Sequence, residues 1–452
     1  MKQMLVAFIL TAALASGGSL AAAETSSPAP DPLLASLIEE ALLRNPDISA
    51  AREALAAAEA RPVQARSLPN PMASVVYTND GVSPSLGSRD MTTLAFMGSQ
   101  DLPFPGKLRL RGEIRTVEAG QFGQQVERTK LSITAAVKRA YYALLLARDR
   151  LELIRELEEI WKQIESVARA RYSVGQGAQQ DVLRVQVEVT RIEQLHSEQA
   201  AEAEIRVAEL DRLLSRPASS LLETPGRLAL RPLEGDFESL AKWASDISPE
   251  LKSARLSTEK GSLGVSLARK EFKPDFSLQA AYMNRGGLDP MLLAGVGFSL
   301  PVYRSRLQGA LAEAQAQLRS SQSVVQSVEL QLRFRTQERV TQIRTTERIA
   351  NLFSQGIVPQ DRMSVDGAIA NYQTGKIPFI AVLEALATLY NDRGTLLTLL
   401  ANHERIRASL EEASLEETSS MAAGGMAAVG GSALNMAGRG APSGSSDSMG
   451  SR

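Results

Sequence analysis

Ala170 to Leu183 reads ARYSVGQGAQQDVL, and Ala370 to Leu383 reads ANYQTGKIPFIAVL. Tyr172 aligns with Tyr372, Gly175 with Gly375, Val182 with Val382 and Leu183 with Leu383, always at an offset of 200 residues. Each copy is flanked on both sides by long stretches whose apolar residues recur every three or four positions, and each has a glycine break in its middle. Each therefore predicts the tip of a helical hairpin, and the chain is built from two such hairpins.

Working outward from the first tip, Leu153, Leu157, Ile160, Ile164 and Val167 mark one stripe and Leu144, Leu151 and Ile154 a second, on a proline-free helix of about Leu108 to Tyr172. Such a helix would be on the order of 95 Å long, too long for an ordinary globular core. A return helix follows from about Ala178 to Ser215. Around the second tip, helices are expected over about Arg304–Phe353, then, after a break at Gly356-Ile357-Val358-Pro359, a short helix to Tyr372 and a last helix over Phe379–Leu410. Two apolar stripes per helix suit a closed tube, a solid coiled-coil bundle being the other reading. The polar run Val328 to Arg348 favours a helix with a wet face.

Before each long helix lies a pair of short β-type segments: 72–79 with 91–100, and 275–284 with 291–300. In the second pair Phe276, Leu278, Ala280 and Tyr282 alternate with Ser277 and Gln279. Helical segments precede the strands in each half. Asn45-Pro46-Asp47-Ile48 is echoed by Ser248-Pro249-Glu250-Leu251, and Pro62 is expected to bend the helix that runs on to Arg66. Strands of this length can cross a bilayer, or can form a small soluble sheet packed on helices. Four strands cannot close a membrane barrel, but three chains could share one of ~12.

The division that results is a signal peptide over 1–23, a linker over 24–31, a first repeat over 32–216 with its tip at 173–178, a connector over 217–235, a second repeat over 236–415 with its tip at 373–378, and a disordered Gly/Ala/Ser/Met tail over 416–452. Lys2, the apolar run Met4 to Ala15 and Ala21-Ala22-Ala23 carry the signal-peptide reading, which implies a cell-envelope address. No later apolar run reaches the ~18 residues of a membrane helix, so a membrane crossing falls to strands.

Composition narrows the function. A net charge of −1 with scattered Lys and Arg gives no field for nucleic acid. With no Cys and two His, thiol chemistry and Cys-containing zinc sites are excluded, as are disulfides and an N-terminal lipidated cysteine. No nucleophile–base spacing, phosphate loop or metal cluster points to an enzyme, and no cofactor is expected. His196 and His403 fall in polar helical surroundings and are expected at the surface. The tail's Met421, Met426, Met436 and Met449 could offer thioethers to Cu(I) or Ag(I), but their density is that of a plain tail.

The order of these parts, the tips RYSVG…DVL and NYQTG…AVL, the early Asn-Pro and the segment Leu102-Pro103-Phe104-Pro105-Gly106-Lys107 together resemble TolC-type outer membrane factors over about Pro32 to Leu410. Gln100–Arg109 and Ile357-Val358-Pro359-Gln360 look most like the heavy-metal efflux branch. The resemblance implies a mainly α fold with a membrane β-barrel portion, in which a homotrimer joins a barrel of ~12 strands in outer-membrane lipid to a long periplasmic α-helical tunnel. It implies a passive exit duct for a tripartite efflux system, served by a periplasmic adaptor protein and an inner-membrane transporter of the resistance–nodulation–division type. Type I secretion and a non-conducting soluble periplasmic scaffold are the alternatives. Val174, Gly175, Gln176 and Gly177 match the first adaptor-contacting tip, and Thr374, Gly375 and Lys376 the second. Glu384 fits one position of the family's acidic constriction. Ala381 replaces the other acid, and Asp181 and Arg184 occupy the corresponding places in the first repeat.

Overall fold

The computed structural model describes residues 31–86, 89–217 and 227–416. The expected signal peptide, the linker up to residue 30, part of the connector and the tail from residue 417 lie outside the described residues.

The first half runs α1 (Pro32–Arg44), α2 (Pro46–Glu59), α3 (Arg61–Arg66), β1 (Met72–Thr78), β2 (Thr93–Leu102), α4 (Lys107–Ser173) and α5 (Gln179–Leu214). The second runs α6 (Phe237–Ile247), α7 (Pro249–Lys270), β3 (Asp275–Arg285), β4 (Leu288–Ser299), α8 (Arg304–Leu352), a π-helical turn (Phe353–Ile357), α9 (Val358–Gln373) and α10 (Phe379–Glu411). The duplication reaches the caps. Asn45 Oδ1 accepts from the Asp47 N–H at 2.9 Å, and Ser248 Oγ from the Leu251 N–H at 3.4 Å, each just before a proline in the first turn. That proline costs nothing there, because a first-turn N–H has no partner within the helix. Asn45 also donates from Nδ2 to the Leu213 carbonyl at 3.0 Å, which fixes α1 and α2 against the end of α5.

At 67 residues α4 is about 100 Å long. Its apolar residues bury in two successive cores along its length, residues of the two stripes sharing the second. Leu144 and Leu145 join Leu37, Ile48, Leu210 and Leu214 in one core. Ile154, Leu157, Trp161 and Ile164 join Val185 and Ile192 of α5, Val365 of α9 and Val382 and Leu386 of α10 in a second core toward the tips. Among the described residues no helix is long and apolar enough to cross a membrane.

All four strands form one antiparallel sheet in chain order, so the outer edges of β1 and β4 are unpaired. Val75, Phe96, Leu278, Tyr282, Val296 and Phe298 share one face by register, and all are exposed. Of the charged strand residues, Asp101, Asp275 and Arg285 fall on the other face. The second hairpin is tighter than its sequence suggests. Arg285 pairs with Leu288 around Gly286-Gly287, with Gly286 at φ +69°. Pro290 lies in β4 at a bulge between the Met283 and Arg285 registers, where a missing N–H is tolerated.

Sheet and helices meet at a polar knot. Lys107, at the start of α4, is 1% exposed, with Nζ 3.0 Å from carboxylate oxygens of both Glu271 and Asp275. Asp275 also accepts from the Phe104 N–H at 2.6 Å. Gly106 takes φ +91° to start the helix, and Lys270 donates to the Pro105 carbonyl at 3.0 Å. Leu-Pro-Phe-Pro-Gly-Lys is therefore the joint that ties the end of β2 to the start of β3.

Three expectations need correction. The helix does not break at 356–359. It widens into the π turn Phe353–Ile357 and continues, which makes room for the ring of Pro359 and its missing N–H. Pro62 does not bend a single helix, since α2 ends at Glu59 and Pro62 sits in the first turn of α3. His403 is not at the surface but fully buried, with Nε2 3.1 Å from Glu347 Oε1 and Nδ1 3.4 Å from Glu404. It packs against Glu347 of α8 as well as its own neighbour Glu404, so local polarity did not report exposure.

Candidate functional site: the paired hairpin tips

Both tips end in the same turn. Gly175 N–H bonds the Tyr172 carbonyl at 3.0 Å and Gln176 N–H bonds that of Arg171 at 2.9 Å. Gly375 N–H bonds the Tyr372 carbonyl at 3.0 Å and Lys376 N–H bonds that of Asn371 at 2.9 Å. This paired i−3 and i−5 pattern is a Schellman cap, and it needs a left-handed residue. Gly175 and Gly375 both have φ +73°. The sequence match at an offset of 200 residues is thus a match of backbone geometry.

The side chains break the symmetry. Arg171 of the first tip reaches across to the second. Its Nη1 donates to the Tyr372 carbonyl, its Nη2 donates to the Gln176 carbonyl at 3.0 Å, and its guanidinium lies 4.7 Å from the centre of the Tyr372 ring. The equivalent position in the second tip is Asn371. Tyr372 is 2% exposed whereas Tyr172 is 49% exposed. The Tyr372 hydroxyl donates to Asp181 Oδ2 at 3.3 Å, and its ring stands 5.6 Å from that of Phe379. Burial first, and then the Asp181 carboxylate, pushes the Tyr372 hydroxyl up to about 12, so it remains a donor at any physiological pH. Arg171, Tyr372 and Asp181 therefore form a latch that joins the two tips.

Each residue singled out from sequence can now be placed. Val174, Gly175, Gln176, Thr374, Gly375 and Lys376 are exposed at the turns and Gly177 is half-buried. A Cβ on Gly375 would stand 3.1 Å from Arg171 Nη2, whereas one on Gly175 would meet nothing within 4 Å. Asp181 is the one constriction candidate drawn into the latch. Arg184 on α5 and Glu384 on α10 are exposed on their helices. Sequence reading missed Arg171 and the role of Tyr372. The available signal was the mismatch of Arg171 with Asn371 at otherwise aligned tips.

Nearby, burial and then the adjacent Asp392 carboxylate raise Asp361 of α9 above the usual carboxylate range. Among the described residues no group of three or more His, Cys, Asp or Glu is placed to hold a metal ion.

The architecture has close counterparts. The chain is similar to the cobalt-zinc-cadmium resistance protein CzcC of Cupriavidus metallidurans, at 23% identity over 79% of this chain and 83% of that one. Its fold is similar to that of the outer membrane protein VceC of Vibrio cholerae, with a TM-score of 0.70 at 22% identity over 84% of this chain and 95% of that one. It is also similar to the MtrE outer membrane channel of Neisseria gonorrhoeae, with a TM-score of 0.67 at 18% identity over 84% of this chain and 88% of that one. The profile of the outer membrane efflux protein family matches residues 37–216 and 241–414, which are the two halves seen in the structure. With both halves matched and the four strands, long helices and twin tips in place, this chain belongs to the outer membrane efflux protein family, and its work is efflux through the outer membrane.

Proposed function

We propose that three copies of the chain close one barrel of ~12 strands in outer-membrane lipid and one helical tunnel below it, and that the tunnel receives cargo from an inner-membrane transporter of the resistance–nodulation–division type through a periplasmic adaptor. The observation that carries this reading is the four-stranded sheet with both outer edges unpaired and one face apolar and exposed. Open edges are not tolerated in lipid, and edge-to-edge pairing around a three-fold axis removes them. Heavy-metal cations are the proposed cargo, supported by the name of the relative CzcC and by the metal-branch look of Gln100–Arg109. Exposed Glu384 adds acid near the entrance and would favour cations.

The test is direct. The mature protein should fractionate with outer membranes, run as a trimer that heating dissociates, and give discrete channels in planar bilayers. A freely soluble monomer without conductance would overturn the duct.

The tips are the proposed adaptor contacts. Gly175→Val and Gly375→Val force a side chain into the left-handed turn, at about 1–2 kcal/mol or more per site. Trimers should persist while cross-linking to the adaptor falls on the order of tenfold, with Gly375→Val the worse because Arg171 already fills that space. Undiminished cross-linking in both variants would defeat the tip assignment.

A further inference from the structure

The face of the sheet opposite the apolar one carries a line of methionines. Met72 pairs with Ser99, Met97 with Ser74 and Ala281, and Met283 with Ala95 and Met291. Because alternate residues share a face, Met72, Met97, Met283 and Met291 all stand on this one, one per strand. Six methionines occur among the described residues, and four are here.

Alanines report which residues are covered. Ala73, Ala280 and Ala294 on the apolar face are exposed, whereas Ala95 and Ala281 on the methionine face are only 4% and 5% exposed. The same-face neighbours common to both buried alanines are Met97 and Met283, themselves half-buried. Met97 and Met283 therefore lie over the small residues of this face. Directly opposed Cβ atoms such as those of Met283 and Met291 stand ~4.5–5.5 Å apart, and diagonal ones such as those of Met97 and Met283 up to ~7–8 Å. Three rotatable bonds per side chain let the sulfurs converge.

We propose that Met97, Met283 and Met291 form a thioether site for a soft monovalent cation, Cu(I) or Ag(I), on the inner wall of the duct. The inference rests on the reading of the sheet as barrel wall with its apolar face toward lipid. Thioethers are neutral and soft, so they select Cu(I) and Ag(I) over harder divalent ions. With no anionic ligand in the set, the ion is held weakly enough to leave, as conduction requires.

The experiment uses full-length trimer in detergent, titrated with Ag(I) by calorimetry and examined by X-ray absorption for silver–sulfur scattering. The variant M97L/M283L/M291L conserves volume. It should lose at least about tenfold in Ag(I) affinity and lose the sulfur shell, while a full-length variant with Met421, Met426, Met436 and Met449 changed to Leu should keep both. Equal Ag(I) binding by wild type and the barrel variant, or loss confined to the tail variant, would overturn the site. Channel conductance is recorded on the same preparations. Conducting wild-type channels without silver–sulfur scattering would sink this inference alone, and an absence of channels would sink the duct reading with it.

Discussion

Arg171→Ala is expected to raise the resting conductance of the channel by about 10- to 30-fold. The change removes two charge-assisted hydrogen bonds to carbonyls, at Tyr372 and Gln176, and the cation over the Tyr372 ring. Only the Tyr372 bond and the ring contact span the two tips, the Gln176 bond lying within the first, and at the half-exposed position of Arg171 they contribute roughly 1.5–2 kcal/mol together. At ~1.4 kcal/mol per factor of ten, that is the shift in the balance between latched and released tips. Tyr372→Phe keeps the packing on Phe379 and removes only the bond to Asp181, so its effect should be smaller, about two- to tenfold. The ranking is the diagnostic feature. Planar-bilayer recordings, and entry of a large antibiotic into intact cells, both measure it. Resting conductance that stays at the wild-type level in Arg171→Ala would show that the latch does not hold the entrance.

Lys107→Met should be the most damaging change at the junction of barrel and tunnel. It leaves Glu271 and Asp275 without their shared cation, at a position 1% exposed. Removing one partner of a buried ion pair costs about 3–5 kcal/mol, and the side chains of the two acids, each about a third exposed, put the expected loss near 3. Thermal dissociation of the trimer would report it as a lower midpoint. Adding Asp275→Asn should recover part of the loss, because the stranded negative charge goes with it. A double variant that is worse by the full sum of the two singles would mean that the pair is not coupled.

The duplication, the hairpin tips and the four strands were legible because they rest on local signals. Gly175 and Gly375 are required by a backbone turn, and a period of two or of three to four residues is dictated by the element that carries it. Strand ends were less legible. Strands expected at 275–284 and 291–300 leave six residues between them, whereas Gly286-Gly287 makes a two-residue turn and the bulge carries Pro290 within the strand. The latch was not legible, since Arg171 finds Tyr372 201 residues away and nothing in either neighbourhood announces the meeting. His403 failed for the same reason. Its burial depends on Glu347, 56 residues earlier on another helix. The methionine face needed the strand register, because only pairing tells which side chains of separate strands stand together.

The π turn at Phe353–Ile357 has a consequence for inheritance. From Pro301 to Tyr372 is 71 residues, against 69 from Pro103 to Tyr172 (372 − 301 and 172 − 103), and the wide turn absorbs part of the excess. One residue more or less in an α-helix rotates everything beyond it by about 100°. The second tip is therefore in phase with the first only while the wide turn is kept. Loss of a single codon there would leave the reading of every later residue intact and still swing Tyr372 away from Asp181. A recombination crossover that drops the turn delivers a correct sequence pointing the wrong way.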